Sequence, residues 1–203
     1  MKKNVLIVLV LVSVLIVFGL IIYDKPFVKQ LQGVVKNSIN TSKYIVKEGN
    51  LIKTRVRAPK GYKRVQYAEN SFQEYLRNYP LKPYGSPIIN YNDTEYFAQN
   101  WHEAILDVPV PKNGLQQCAD ALMRMRAEYL WKHNRKNEIG FNFTSGDYCS
   151  WNKYAKGYRP KIKGSKVTFH KKAKSDHSKI NFYKYLNLIY TYAGTLSLYT
   201  DTI

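Results

Sequence analysis

The chain has 203 residues, 45% of them apolar, and a formal charge of +18 from 32 Lys/Arg against 14 Asp/Glu. That apolar fraction excludes an intrinsically disordered chain, and the length allows one sizeable core with an appendage. Two cysteines 31 positions apart and four scattered histidines show no metal-ligand spacing, so neither a metal nor a cofactor is expected.

In chain order, Met1-Lys2-Lys3-Asn4 precedes VLIVLVLVSVLIVFGLIIY, Val5 to Tyr23, which carries no charge. Nineteen residues at the helical rise span roughly 28 Å, close to a hydrocarbon core. A secretory signal would have a shorter apolar run ending in a small-x-small site, and no cysteine is near to carry a lipid anchor. Residues 1–23 therefore read as an uncleaved membrane anchor helix, with the remaining chain outside the cell. Residues 24–50 have few large apolar residues at regular spacing and read as a tether, and 51–203 as one monomeric extracytoplasmic domain.

Within that domain, SFQEYLRNYP (71–80) begins with a capping box, Ser71 and Glu74, and predicts a short helix stopped by Pro80. SPIINY (86–91) and HEAILDVPV (102–110) read as strands. Asn113-Gly114 opens a helix to about Lys132. IGFNFT (139–144) reads as a strand, and Asp147 as the cap of a short helix to about Lys156. Tyr158 to His170 predicts a hairpin turning at Lys163-Gly164-Ser165. A final amphipathic helix spans 177–193 through Phe182, Tyr185, Leu186, Ile189 and Tyr190, with Gly194 as its stop. Helices and strands without strict βαβ alternation imply an α+β class, a compact domain with a mixed or antiparallel sheet and several helices.

The helix LQQCADALMRMRAEYLW (115–131) holds the principal candidates. On a wheel, Leu115, Cys118, Ala119, Leu122, Met125, Tyr129 and Leu130 form one stripe. Cys118 is then a small apolar filler, or else a thiolate nucleophile at a helix start. His102 is the nearest base in sequence, but a strand and a helix turn separate the two by about 15 Å if they pack antiparallel. Arg126 falls in the middle of the stripe, which demands a partner such as Asp107 or Glu103, a ligand's carboxylate or phosphate, or an escape to water. Cys118→Ala should then be tolerated and Arg126→Leu should not. Cys118 and Cys149 could pair in an oxidising compartment, and the sequence leaves this open.

Charge is unevenly distributed. Residues 43–64 hold eight Lys/Arg and one Glu, residues 153–179 hold ten and one Asp, and residues 69–107 hold six acids and two bases. Around DYCSWNKYAKGYRP, Tyr148, Trp151, Tyr154 and Tyr158 interleave with Lys153, Lys156 and Arg159, a mixture suited to a glycan platform and equally to core packing. Two stretches of like charge favour an anionic partner: a wall polymer, lipid headgroups or peptidoglycan. Nucleic acid fits less well outside a membrane.

The blocks GYKRV, SFQEYLRNYPLKPYGSP, HEAILD, LQQCADALMRMRAEYL, FNFTSG, GYRP and YAGTLSL resemble a bacterial family known only as a domain of unknown function, over about residues 53–198. Its members commonly follow a signal sequence or lipoprotein anchor, so the resemblance implies an extracytoplasmic place and no particular activity. Matching positions include His102, Asp107, Cys118, Arg124, Arg126, Glu128, Thr144, Gly146, Gly157, Arg159 and Gly194; Cys149 matches none. The ligand-binding candidates are Arg126, Arg159, Thr144 and Asp107 from these positions and Trp151 from the aromatic and basic stretch. Two readings follow: a tethered module binding an anionic envelope polymer, or an envelope hydrolase. The hydrolase would be a papain-like peptidase or amidase using Cys118 with a histidine, or a glycan-cleaving enzyme using Glu128 as acid.

Overall fold

The computed structural model describes residues 41–99 and 102–202. The expected anchor at 1–23 and residues 24–40 of the expected tether lie outside the described residues. Among the described residues, no helix is long and apolar enough to cross a membrane. The chain divides into two compact units, one ending at Gln66 and resuming over Arg77–Asp107, the other formed by Tyr67–Leu76 with Val108 onward.

The first unit is largely irregular. A 3-10 turn (Thr41–Tyr44) and α1 (Ile52–Arg55) are joined by single bridges, Ile45 to Val56, Leu51 to Pro80 and Leu81 to Leu106. Val46 N donates to Arg55 O at 2.8 Å, Arg57 N to Tyr44 O at 2.7 Å and Leu81 N to Asn50 O at 2.8 Å, so ordered backbone begins before Leu51. The strands expected at 86–91 and 102–110 are reduced to single bridges, Ile89 to Glu95 and Leu81 to Leu106. Asn92 and Asp93 turn the chain directly after Tyr91, Asp93 at φ 65°, and Pro87, Pro109 and Pro111 have no N–H to give a ladder. Alternation in sequence supplied faces, but no neighbour completes a sheet.

In the second unit α2 (Phe72–Arg77) starts as predicted, with Ser71 Oγ accepting from Glu74 N at 3.2 Å; its last residue belongs to the first unit. The following elements are α3 (Cys118–Lys132), β1 (Gly140–Asn142), β2 (Tyr148–Ser150) and α4 (Trp151–Ala155). They continue with β3 (Tyr158–Lys163), β4 (Lys166–Lys171), α5 (Lys179–Tyr192) and α6 (Thr195–Thr202). Strands β1 and β2 pair antiparallel, Phe141 opposite Cys149, and β3 and β4 form the predicted hairpin around Gly164. The described residues are α+β, with two small antiparallel pairs rather than one larger sheet among them.

Local chemistry moves several boundaries. Residues 148–150 are a strand, and Ser150, not Asp147, caps α4 by accepting from Lys153 N at 3.3 Å. Ser178 caps α5 through Asn181 N at 3.2 Å. The sequence did not announce α6: Gly194, expected only as a stop, also starts this helix, its carbonyl accepting from Leu198 N at 3.0 Å.

The core lies between α3 and α5. Met123, Ala127 and Leu130 from α3 meet Phe182, Tyr185, Leu186 and Ile189 from α5, with Phe141 and Trp151 between. Burying each large side chain contributes about 1.5 to 3 kcal/mol. The aromatic rings meet mainly edge-on, Trp151 with Phe182 at 5.7 Å and with Tyr185 at 5.7 Å.

Candidate functional site

Helix α3 begins at Cys118, four residues later than Gly114, so Leu115 never joins its stripe. The buried positions are Asp120, Met123, Arg124, Met125, Ala127, Tyr129 and Leu130, while Leu122 is 47% exposed and Cys118 is exposed. The inward face is therefore rotated by about one residue from the predicted stripe. Two expectations fall with that rotation. Cys118 is not a core filler, and the buried guanidinium is Arg124, 5% exposed, rather than half-buried Arg126.

Arg124 is held by its own helix and by the segment before it. Its Nε donates to Glu128 Oε1 at 2.8 Å, and its Nη1 donates to Pro109 O at 2.5 Å and Gln116 Oε1 at 2.9 Å. The Tyr183 hydroxyl donates to the same Glu128 oxygen at 2.9 Å, and the guanidinium lies 5.6 Å from the Tyr183 ring centroid. Burial opposes the charge on Arg124, but the Glu128 hydrogen bond and carboxylate outweigh it and raise its pKa. Burial chiefly, and then the Glu128 charge, raise Tyr183; burial raises Tyr190 against the pull of Arg124. Pro109, Val110, Pro111, Tyr183, Leu186 and Tyr190 line, with Arg124, an open cleft of about 320 Å³.

The hairpin is the second feature. Gly157, at φ 94°, reverses the chain out of α4, and its carbonyl accepts from Lys172 N at 2.9 Å and Ala173 N at 3.1 Å, closing the hairpin base. Register pairs Arg159 with His170, Lys161 with Thr168 and Lys163 with Lys166, so these six share one face. The other face carries Tyr158, Pro160, Ile162, Val167, Phe169 and the exposed Lys171, of which Val167 and Phe169 pack on the core. One side of the ribbon is mostly apolar and partly seated; the other is basic. Lys161, Lys163 and Lys166 are exposed, and none has a carboxylate partner among the described residues. Between Asp147 and Asp176 the chain has no acid and nine Lys/Arg. Directly opposed like charges such as Lys163 and Lys166 destabilise a ladder.

Other sequence candidates have structural places. Trp151 is 1% exposed in the core and offers no stacking platform. Arg159 Nη1 donates to Tyr154 O and Tyr158 O, each at 2.7 Å, and the guanidinium covers the Tyr154 ring at 3.5 Å, tying hairpin to helix. Thr144 N and Oγ1 both donate to Tyr192 O, at 2.8 and 3.2 Å. Asp107 is exposed at the edge of the first unit, its N–H given to Pro80 O at 2.9 Å.

The cysteines are both free, so no disulfide joins them. The Cys118 thiol has no hydrogen bond to an imidazole among the described residues, and His102 belongs to the first unit. In the second unit His133 Nδ1 contacts Tyr129 O at 2.8 Å, His170 Nε2 contacts Thr168 Oγ1 at 2.9 Å, and the His177 ring meets Trp151 edge-on at 6.4 Å. Glu128 is an acceptor for Arg124 and Tyr183. Among the described residues no group of His, Cys, Asp and Glu could hold a metal ion. Arg124, although one of the family positions, was not among the binding candidates, nor were Tyr183 and Tyr190; the Arg124/Glu128 spacing of four was the available signal.

Fold and site together define an α+β protein in which one buried charge is neutralised internally and a two-stranded ribbon presents cationic charge that is not. A family model described as "Domain of unknown function (4846)" matches residues 52–203, and the chain belongs to that family. No curated protein and no solved structure matches it.

Proposed function

We propose that this protein is a membrane-tethered binding module that holds an anionic envelope polymer on the basic face of the β3/β4 hairpin. The observation that carries the reading is the register: strand alternation gathers Lys161, Lys163, Lys166 and His170 on one face while the reverse face is anchored in the core. A rigidly seated cationic ribbon suits a linear polyanion, because several phosphates or carboxylates meet it at once and counterions are released. The uncharged run Val5–Tyr23 supports a single-pass anchor beside such a polymer on the outer side of a bacterial membrane. The module acts as a monomer with no cofactor.

The test is binding of poly(glycerol phosphate) to the full chain in detergent micelles over a salt series. Affinity should fall steeply and log-linearly with salt, and the triple substitution Lys161→Gln, Lys163→Gln, Lys166→Gln should weaken binding about tenfold or more at low salt. Binding unaffected by salt, or unchanged in the triple variant, would refute the assignment.

A further inference from the structure

In the first unit one buried cation has no carboxylate paired with it among the described residues. Arg55, the last residue of α1, is 1% exposed. Its Nε donates to Gly49 O at 2.7 Å and its Nη2 to Lys82 O at 3.2 Å, while Nη1 has no hydrogen bond and no carboxylate pairs with it among the described residues. Carbonyl oxygens satisfy donors but do not cancel a charge, and an isolated buried charge is strongly unfavourable. Tyr84 gives partial relief, its ring centroid 5.5 Å from the guanidinium and 5.3 Å from Lys47 Nζ.

Arg55 lines a cavity of about 170 Å³, walled by the Pro83–Pro87 turn and by Gln99, His102 and Glu103. The second deficit is in the same wall. His102 Nε2 lies 3.1 Å from Ser86 O, and since a carbonyl only accepts, Nε2 carries the proton. Nδ1 is then an acceptor in the neutral ring, and it is buried with no partner. The Gln99 side chain cannot supply a donor, because its amide is committed to Ile88 and Tyr96.

We propose that this cavity binds a small α-amino acid as its zwitterion, the carboxylate on Arg55 Nη1 and the ammonium donating to His102 Nδ1 beside the charge of Glu103. One ligand that carries both groups on the same carbon would answer both deficits of the cavity wall. A plain anion would leave Nδ1 unpaired and would face the Glu103 carboxylate. At about 30 Å³ per water the space is on the order of five or six waters, the scale of a small amino acid such as alanine.

The experiment uses the full chain in detergent micelles, titrated separately with glycine, alanine, acetate, inorganic phosphate and tryptophan. Thermal shift is read together with the ¹⁵N resonance of His102 Nδ1. Glycine or alanine should raise the melting temperature saturably and move the Nδ1 resonance, with acetate, phosphate and tryptophan without effect at the same concentration. His102→Leu should weaken alanine binding about tenfold, the scale of one lost buried hydrogen bond. Because Arg55 ties Gly49 to Lys82, Arg55→Lys is the second variant, and it should lose the alanine response while still folding cooperatively. A response to acetate or phosphate alone makes this a simple anion site and overturns the amino-acid assignment. So does the absence of any saturable response up to about 10 mM, which is weaker than a millimolar dissociation constant, or an unchanged alanine response in both variants.

Discussion

Arg124 Nε lies 2.8 Å from Glu128 Oε1, one helical turn along α3, and the same oxygen accepts the Tyr183 hydroxyl of α5. The two longest helices of the second unit are thus joined across the core edge by one carboxylate. Replacing Arg124 with Leu would take the guanidinium donors from Glu128 Oε1, Pro109 O and Gln116 Oε1 and leave Tyr183 on the carboxylate. Arg124→Leu is expected to cost about 3 to 5 kcal/mol, and Arg126→Leu about 1 or less. Chemical denaturation of the two variants side by side checks this; a larger loss at Arg126 would restore the helix phase expected from the wheel.

The two thiols should differ sharply in reactivity. Cys118 is exposed at the first residue of α3, whereas burial, partly offset by Lys153 and Arg159, pushes the Cys149 thiol up to about 12. A maleimide at neutral pH should modify one thiol per chain in the folded state, mapped to Cys118, and two only in denaturant. Cys118→Ala remains a tolerated change, now because its side chain faces solvent.

The raised Cys149 value also sets a pH dependence. An unfolded cysteine titrates near about 8.5, so above that pH the unfolded chain releases a proton that the folded chain keeps up to about 12. The unfolded state binds fewer protons across this window, and stability falls as pH rises through it. Burial raises Tyr154, Tyr183 and Tyr190 in the same direction, so the fall should steepen above about pH 10. Melting curves from pH 8 to 11 should show the decline, and Cys149→Ala should remove its portion below pH 10; a flat profile in the parent protein contradicts the burial argument.

Two glycines with positive φ should respond unequally to alanine. At Gly157, φ 94°, a Cβ would lie 2.0 Å from Ala173 O, a backbone atom that closes the hairpin base. At Gly164, φ 59°, nothing lies within 4 Å. Gly157→Ala should therefore cost at least about 2 kcal/mol and Gly164→Ala about 1, from the left-handed backbone alone. Equal thermal shifts in the two variants would show that the Ala173 approach relaxes without cost.

Some of this architecture was legible without coordinates. The 3.6-residue pattern through Phe182, Tyr185, Leu186, Ile189 and Tyr190 places α5 and its buried face, because helical periodicity is a property of the segment itself. The Lys163-Gly164-Ser165 turn, the Ser71 cap and the family blocks are local in the same sense. Residues 86–91 and 102–110 read as strands because alternation is local, yet a sheet requires a partner, and each found only a single bridge.

The phase of α3 belongs to the tertiary structure alone. Its stripe of Leu115, Cys118, Leu122 and Met125 is a reasonable apolar face, but the helix starts at Cys118 and carries nearly as many apolar residues on a competing face. Packing against α5 chose Met123, Ala127 and Leu130, and with them buried Arg124 in place of Arg126. A periodic sequence states that a helix has an apolar side; when two sides are nearly equal, only the neighbour's shape, and the carboxylate and carbonyls it can offer a guanidinium, decide which one turns inward.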